Sequence, residues 1–164
     1  MKLIELLDVS HDRDNFDCGS EPLNRYLQQT ARQHNTKGIA RTFVLIDSEQ
    51  PQTIIGFFTL ALCEIRAQEL PNKWSKKYPS TIAGVKLARL AVAKTSQRQG
   101  IGEILMVEAM KRALIIADNA GVIGLFVDAK DEAAKEYYHR YDFISLEDNP
   151  LKMFLPLATI REIL

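Results

Sequence analysis

Gln97-Arg98-Gln99-Gly100-Ile101-Gly102 lies between a run of strand character, Val85 to Val92, and a run of helical character, Ile101 to Ala120. A strand that turns through glycines into a helix presents several free backbone N–H groups at the positive helix terminus. Such a turn is an anion site, well suited to a pyrophosphate. Gly100 and Gly102 remove the Cβ atoms that would keep a ligand away from the backbone. The loop lacks the Gly-x-x-x-x-Gly-Lys-Ser/Thr form of a nucleotide-triphosphate loop, and it lacks the third glycine of a dinucleotide fold.

Working outward, Ile101, Leu105, Ala109, Ala113, Ile116 and Ala120 form a stripe at near-helical spacing, and Gly121 reads as its stop. On the other side, Val85 and Leu87 share one strand face while Leu90 and Val92 have the opposite parity. That slip points either to a β-bulge or to a strand buried on both faces. Lys2 to Leu7, Thr42 to Ile46 and Thr53 to Ile65 read as an antiparallel meander. A helix opening at Ser20 or Glu21, with Leu23, Leu27 and Ala31 inward, interrupts it and ends at Gly38. Residues 66–83 are irregular. Val122 to Val127 has the composition of a buried strand. Asp128 or Asp131 then caps a helix running to about Arg140. Phe143 to Leu146 and Leu151 to Leu157 close the chain as a strand pair. The order is that of an α/β (α+β) domain with a mixed sheet and helices on its faces.

The 164 residues fit one domain, with ordinary apolar (46%) and charged (26%) content. No apolar run approaches the ~20 residues that cross a bilayer, and Met1 to Glu5 has no leader pattern, so a cytoplasmic protein is expected. Cys18 and Cys63 read as small buried hydrophobes rather than a disulfide or zinc framework, and no metal is expected. The net charge is zero, yet Arg66 to Arg98 holds eight cations and one acid, a local balance of +7. This is either a cationic patch or a set of charges spread over several faces.

Downstream of the glycine loop comes Ala134-Lys135-Glu136-Tyr137-Tyr138-His139-Arg140-Tyr141-Asp142-Phe143. With Gln97, Gly100 and Gly102, this stretch resembles the GNAT family of N-acetyltransferases. That family carries Arg/Gln-x-x-Gly-x-Gly/Ala after its fourth strand and an aromatic-Tyr pair before Gly-Phe. Asp142 stands where the family has glycine, which implies an altered turn, because a side chain tolerates positive φ poorly. Phe16-Asp17-Cys18-Gly19, Leu70-Pro71, Tyr78-Pro79, Leu87 to Val92 and Lys152 to Leu157 narrow the likeness to the acetyltransferase toxins of type II toxin–antitoxin pairs. The resemblance covers nearly the whole chain.

It implies a GNAT fold over residues 1–164 as a single domain, with a mostly antiparallel sheet splayed between strands four and five. It implies acetyl-CoA as co-substrate, held by Leu90, Ala91, Val92, Gln97, Arg98, Gln99, Gly100, Ile101, Gly102, Glu103, Asp131 and Tyr138. The catalytic groups it implies are the Val92 N–H, as oxyanion donor, and Tyr138, as general acid to the thiolate. It also implies an aminoacyl-tRNA acceptor, a ribbon-helix-helix antitoxin and a homodimer. Lys73, Lys76, Lys77, Lys86 and Arg89 are the candidate tRNA contacts. Trp74 and Tyr78 would either stack on a base or anchor their loop. From the residues alone, Tyr137 and Tyr138 read as packing aromatics sooner than as catalytic groups, and it is the resemblance that makes Tyr138 the acid. His139 is expected at the surface, and His11 and His34 without a constellation.

The chemistry is consistent with this. The α-amine of an esterified amino acid is less basic than lysine, so it is partly neutral at pH 7 and needs no strong base. The competing readings are a GNAT enzyme for a protein N-terminus or small amine, and a non-catalytic acyl-CoA-binding module.

Overall fold

The computed structural model describes residues 1–164. In chain order it contains β1 (Lys2–Leu6), α1 (Glu21–Arg25), a π-turn segment (Tyr26–Thr30), α2 (Ala31–Lys37), β2 (Arg41–Asp47) and β3 (Gly56–Arg66). A short 3-10 turn (Ala67–Glu69) and α3 (Asn72–Ser75) precede β4 (Thr81–Val92). A second 3-10 turn (Lys94–Ser96) leads to α4 (Ile101–Asn119), β5 (Gly124–Asp128), α5 (Glu132–His139), β6 (Ile144–Ser145), β7 (Lys152–Pro156) and α6 (Leu157–Ile163). The strands form one seven-stranded sheet in the order β1-β2-β3-β4-β5-β7-β6. β1–β2, β2–β3, β5–β7 and β6–β7 pair antiparallel. β4 and β5 pair parallel only at Val85↔Leu125 and Lys86↔Phe126, which is the expected splay. The chain divides into two compact units, residues 1–61 with 88–109 and residues 62–87 with 110–164.

In the first unit, Leu7, Phe16, Tyr26, Leu27, Val44, Phe57 and Ala91 belong to one buried cluster. Leu27, Ala31 and Asn35 are buried at a strict spacing of four, with Leu23 half-buried before them. A regular helix would drift by ~40° at each such step. The π-turn takes up the drift, since the Ala31 N–H donates to the Tyr26 carbonyl five residues back. Gly38, at φ 71°, then closes α2. Asn35 joins the helix to the sheet, accepting from the Thr42 N–H at 2.8 Å and donating to the Leu7 carbonyl at 3.4 Å. Facing Thr42 and Thr59 share a buried hydroxyl contact at 2.8 Å.

In the second unit, Ile65, Leu70, Ile82, Phe126, Leu146 and Phe154 cluster, with the Phe126 and Phe154 rings stacked at 4.8 Å. Trp74 meets Phe154 edge-on at 6.0 Å, and Tyr78 packs on the same cluster. Both aromatics therefore anchor the irregular segment.

Four expectations change. The parity slip between Leu87 and Leu90 is not carried by burial: Val85, Leu87 and Ala91 are buried with one parity, and Leu90 and Val92 are half-buried. α4 stops at Asn119, and Gly121 does not adopt positive φ. The chain closes with a helix, α6, packed on β5 and β7, rather than with a strand. Asp142 keeps the glycine-type turn, at φ 72°. There the Asp142 N–H donates to the His139 carbonyl at 2.9 Å and the Phe143 N–H to the Tyr138 carbonyl at 3.4 Å. This is a Schellman ending with aspartate at the left-handed position, and the Tyr138 and Phe143 rings make its apolar contact at 5.6 Å.

Candidate active site

The first unit carries the anion loop. Arg98 (φ 64°) and Gly100 (φ 79°) both take left-handed conformations on either side of Gln99. A Cβ at Gly100 would meet no atom within 4 Å, so the space before α4 is open. The first backbone bond into the helix is from the Ile104 N–H to the Gly100 carbonyl at 3.2 Å. The preceding amides at the start of α4 have no helical acceptor and lie at the positive end of a 19-residue helix.

Gln97, expected among the coenzyme contacts, turns its side chain to the protein: its amide donates to the Val92 carbonyl and to the Cys18 carbonyl, each at 3.0 Å, and so holds the loop. The Phe16-Asp17-Cys18-Gly19 motif is the other side of this clamp. Asp17 accepts from the Gly19 N–H at 2.9 Å and from the Asn24 side chain at 3.0 Å, and the Cys18 N–H donates to Asn24 at 2.9 Å. These bonds hold the Asp17 carboxyl below its usual pKa, the Gly19 amide contributing most. The Lys94 N–H donates to the Asp17 carbonyl at 2.9 Å, and its ammonium lies 3.5 Å from the carboxylate. Asn24, buried on α1, is a positioning residue that sequence reading missed. Its signal was the Asp-Cys-Gly turn seven residues before a polar side chain on an otherwise apolar helix face.

Arg89 lies over the Tyr26 ring, 3.5 Å from the centroid, and the Tyr26 hydroxyl meets His34 Nδ1 at 3.0 Å. His34 thus has partners after all. So has buried His11, which accepts from the Asp8 N–H and contacts Glu5, both at 3.0 Å.

The second unit carries α5. Asp131 caps it, its Oδ1 accepting from the Ala134 N–H at 2.8 Å. Tyr138 is half-buried, with its ring edge-on to Tyr137 at 5.3 Å. Its hydroxyl bonds to no group of the protein, and burial alone pushes its pKa up to about 12. Tyr137 is raised as well, by burial and then by the neighbouring Tyr141, whose ring it meets edge-on at 5.4 Å. His139 is exposed, as expected. Lys73, Lys76 and Lys77 are exposed, with the Lys73 ammonium 4.9 Å from the Trp74 ring centroid. Lys86 is instead paired with Asp128 at 2.6 Å. No group of His, Cys, Asp and Glu side chains with the makings of a metal site is present, and no helix is long and apolar enough to cross a membrane.

A family model described as the acetyltransferase (GNAT) domain matches residues 38–145. The chain belongs to the GNAT acetyltransferase family. Among curated relatives, a probable toxin TacT of Sinorhizobium fredii is 29% identical, over 99% of this chain and 95% of its own. A tRNA-acetylating toxin of Mycobacterium tuberculosis is 27% identical, over 93% and 90%. Among solved structures, a tyrosine-to-phenylalanine mutant of KacT (TM-score 0.93) and AtaT complexed with acetyl-methionyl-tRNAfMet (0.92) are each 32% identical, over 99% of both chains. A tyrosine-to-phenylalanine mutant of AtaT bound to the C-terminus of the antitoxin AtaR and acetyl-CoA has a TM-score of 0.83, with 28% identity over 99% of this chain and 97% of that one.

GNAT enzymes draw their acetyl group from acetyl-CoA, and the loop fits the diphosphate of that co-substrate. The left-handed turn, the open space at Gly100 and the unpaired amides entering α4 together form an anion cradle.

Proposed function

We propose that this protein acetylates the free α-amine of aminoacyl-tRNA, and so blocks translation as the toxin of a type II toxin–antitoxin pair. The observation that carries the reading is the near-full-length likeness to a protein solved with acetyl-methionyl-tRNAfMet, on a chain that keeps both the amide cradle and an uncommitted tyrosine.

Acetyl-CoA supplies the acetyl group as a thioester. In this reading the amides of Arg98, Gln99, Gly100, Ile101, Gly102 and Glu103 bind its diphosphate, and Gln97 fixes the loop. The backbone of Leu90, Ala91 and Val92 would hold the pantetheine arm, and the Val92 N–H would donate to the thioester oxygen as it gains charge. Tyr138 holds the proton for the departing sulfur. A phenol near 12 stays protonated at every physiological pH. The same burial also raises the proton affinity of a thiolate leaving nearby, so the two remain matched. Asp131 acts through the helix it caps. Lys73, Lys76 and Lys77 are the exposed cations offered to RNA phosphate, while Lys86 and Arg89 serve through the Asp128 pair and the Tyr26 ring.

The same reading makes residues 1–164 one functional domain that acts in the cytoplasm as a homodimer. It is neutralised by a ribbon-helix-helix antitoxin, in keeping with the antitoxin-bound relative.

Replacing Tyr138 by Phe tests the chemistry. Acetyl transfer to charged tRNA should fall by ~10²-fold or more, with growth arrest lost and acetyl-CoA affinity kept. An equally toxic variant would remove Tyr138 from the mechanism.

A further inference from the structure

Tyr26 is buried in the core of the first unit, yet its hydroxyl meets His34 Nδ1 at 3.0 Å, and the two rings lie edge-on at 5.6 Å. The residues are eight apart in sequence. In a regular helix that spacing turns them ~80° away from each other. The π-turn Tyr26–Thr30 lies between them and takes up about one residue of rotation, which brings them within ~20° of a common face. The same Tyr26 ring carries Arg89, whose guanidinium is 3.5 Å from the ring centroid. His34, Tyr26 and Arg89 thus form a column in which two helical side chains hold one cation of β4.

Arg89 is half-buried, forms no ion pair and donates no side-chain hydrogen bond within the protein. Stacking covers a face of the guanidinium and leaves its five N–H donors, which lie in its plane, for a ligand. The sheet decides which substrate those donors can serve. Phe57 and Ala91 pack with Tyr26 on one side of it. Gly56, beside Phe57, turns its open side to Ile101 and Leu105 of α4 on the other. Arg89 has the strand parity of Ala91, so its side chain lies on the face away from α4 and its anion cradle. It stands three residues from Val92, ~10 Å along the strand.

We infer that Tyr26 and His34 are positioning residues for the acceptor: through the stack they fix Arg89 where it binds the aminoacylated end, on the sheet face away from the coenzyme loop. The inference rests on the aminoacyl-tRNA reading above. Neither residue has to touch the acceptor. A long side chain free in solvent loses rotamer freedom when it binds, whereas a stacked one has lost it already. The benefit therefore falls on acceptor affinity and leaves turnover alone.

The test combines a spectroscopic and a kinetic readout. In arginine-labelled protein the Arg89 Nε–H resonance should be displaced upfield by the Tyr26 ring current, and Tyr26→Leu should abolish the displacement. KM for charged tRNA should rise about tenfold in Tyr26→Leu, with kcat and the KM for acetyl-CoA within about twofold. Tyr26→Phe keeps the core filled and removes only the link to His34; it and His34→Leu should each raise that KM about threefold. His34→Gln, whose amide oxygen accepts from the phenol, should restore it. Arg89→Lys keeps the charge but loses the planar face, and Tyr26→Leu should add nothing to its effect.

Effects of Tyr26→Leu and Arg89→Lys that multiply in the double variant would overturn the proposal. So would a loss of kcat and acetyl-CoA affinity in step with acceptor affinity in Tyr26→Phe, the mark of a residue that only fills the core. An undisplaced Arg89 resonance removes the column whatever the acceptor is. If charged tRNA is acetylated and its KM does not move in these variants, the proposal alone fails. If no charged tRNA is acetylated, the acceptor reading fails and takes the proposal with it.

Discussion

Tyr138 is a phenol kept protonated by burial, with no hydrogen-bond partner in the protein, at the C-terminal end of a helix that aspartate caps at the other. Its pH behaviour follows from the direction of that shift. A tyrosine raised from 10 to about 12 retains its proton in the folded state where the unfolded chain has lost it. The stability from this source is complete below pH 10 and is lost as the pH rises through 12. The acetylation rate should therefore climb as the substrate amine deprotonates and show no descending limb below about pH 10. A fall with an apparent pKa of about 8 to 9 would show that another group supplies the proton. Asp142 makes a separate residue-scale prediction. It holds φ 72° at a Schellman position, where left-handed geometry costs an L-residue roughly 1–2 kcal/mol. Asp142→Gly should raise stability by about 0.5–1 kcal/mol, after the greater freedom of glycine in the unfolded chain is counted. Thermal unfolding would show it as an upward shift of ~1–4 °C, and a lower midpoint would contradict the strain argument.

At the scale of elements, the clamp between β4, the loop and α1 decides whether the amides stay aligned. Gln97→Ala removes two donors at once, from the Val92 and Cys18 carbonyls. Coenzyme affinity should fall about tenfold, from ~0.5–1.5 kcal/mol for each hydrogen bond removed, with the rate at saturation little changed. A variant that binds acetyl-CoA normally would show that the loop is held by other contacts. Most of this element order is legible in the chain, because glycines, prolines and period mark it. The i, i+4 stripe locates α4 but omits Met106 and Met110, both fully buried on the i+5 and i+9 side of the same face. The apparent parity slip in β4 misleads because it weighs Leu90 and Val92 as core residues. Burial changes parity earlier, at Gly84, which lies against the Phe126 ring and has no side chain to reveal it. α6 is hidden because Met153 to Leu157 is apolar throughout, and only Pro156 marks where β7 hands over to a helix. The protein contacts of Gln97 are hidden for a related reason: sequence places a polar side chain near a ligand but does not say which carbonyls it reaches first.

For the whole molecule, the local charge balance is informative but incomplete. Of the five cations expected to meet RNA, Lys73, Lys76 and Lys77 are exposed, and Lys86 and Arg89 are held by Asp128 and Tyr26. Neutral overall charge is thus compatible with an RNA acceptor when folding segregates the cations. The family membership fixes the acetyltransferase class, and the acceptor is the claim that most needs a direct answer. The decisive measurement is incubation of the protein with isotope-labelled acetyl-CoA and a pool of charged tRNAs, followed by nuclease digestion and mass spectrometry of the 3′-terminal adenosine esters. Label on the α-amine of the esterified amino acid, with none on deacylated tRNA, is the predicted result. Label absent from every charged tRNA, while a protein N-terminus or small amine is acetylated in the same buffer, would contradict it.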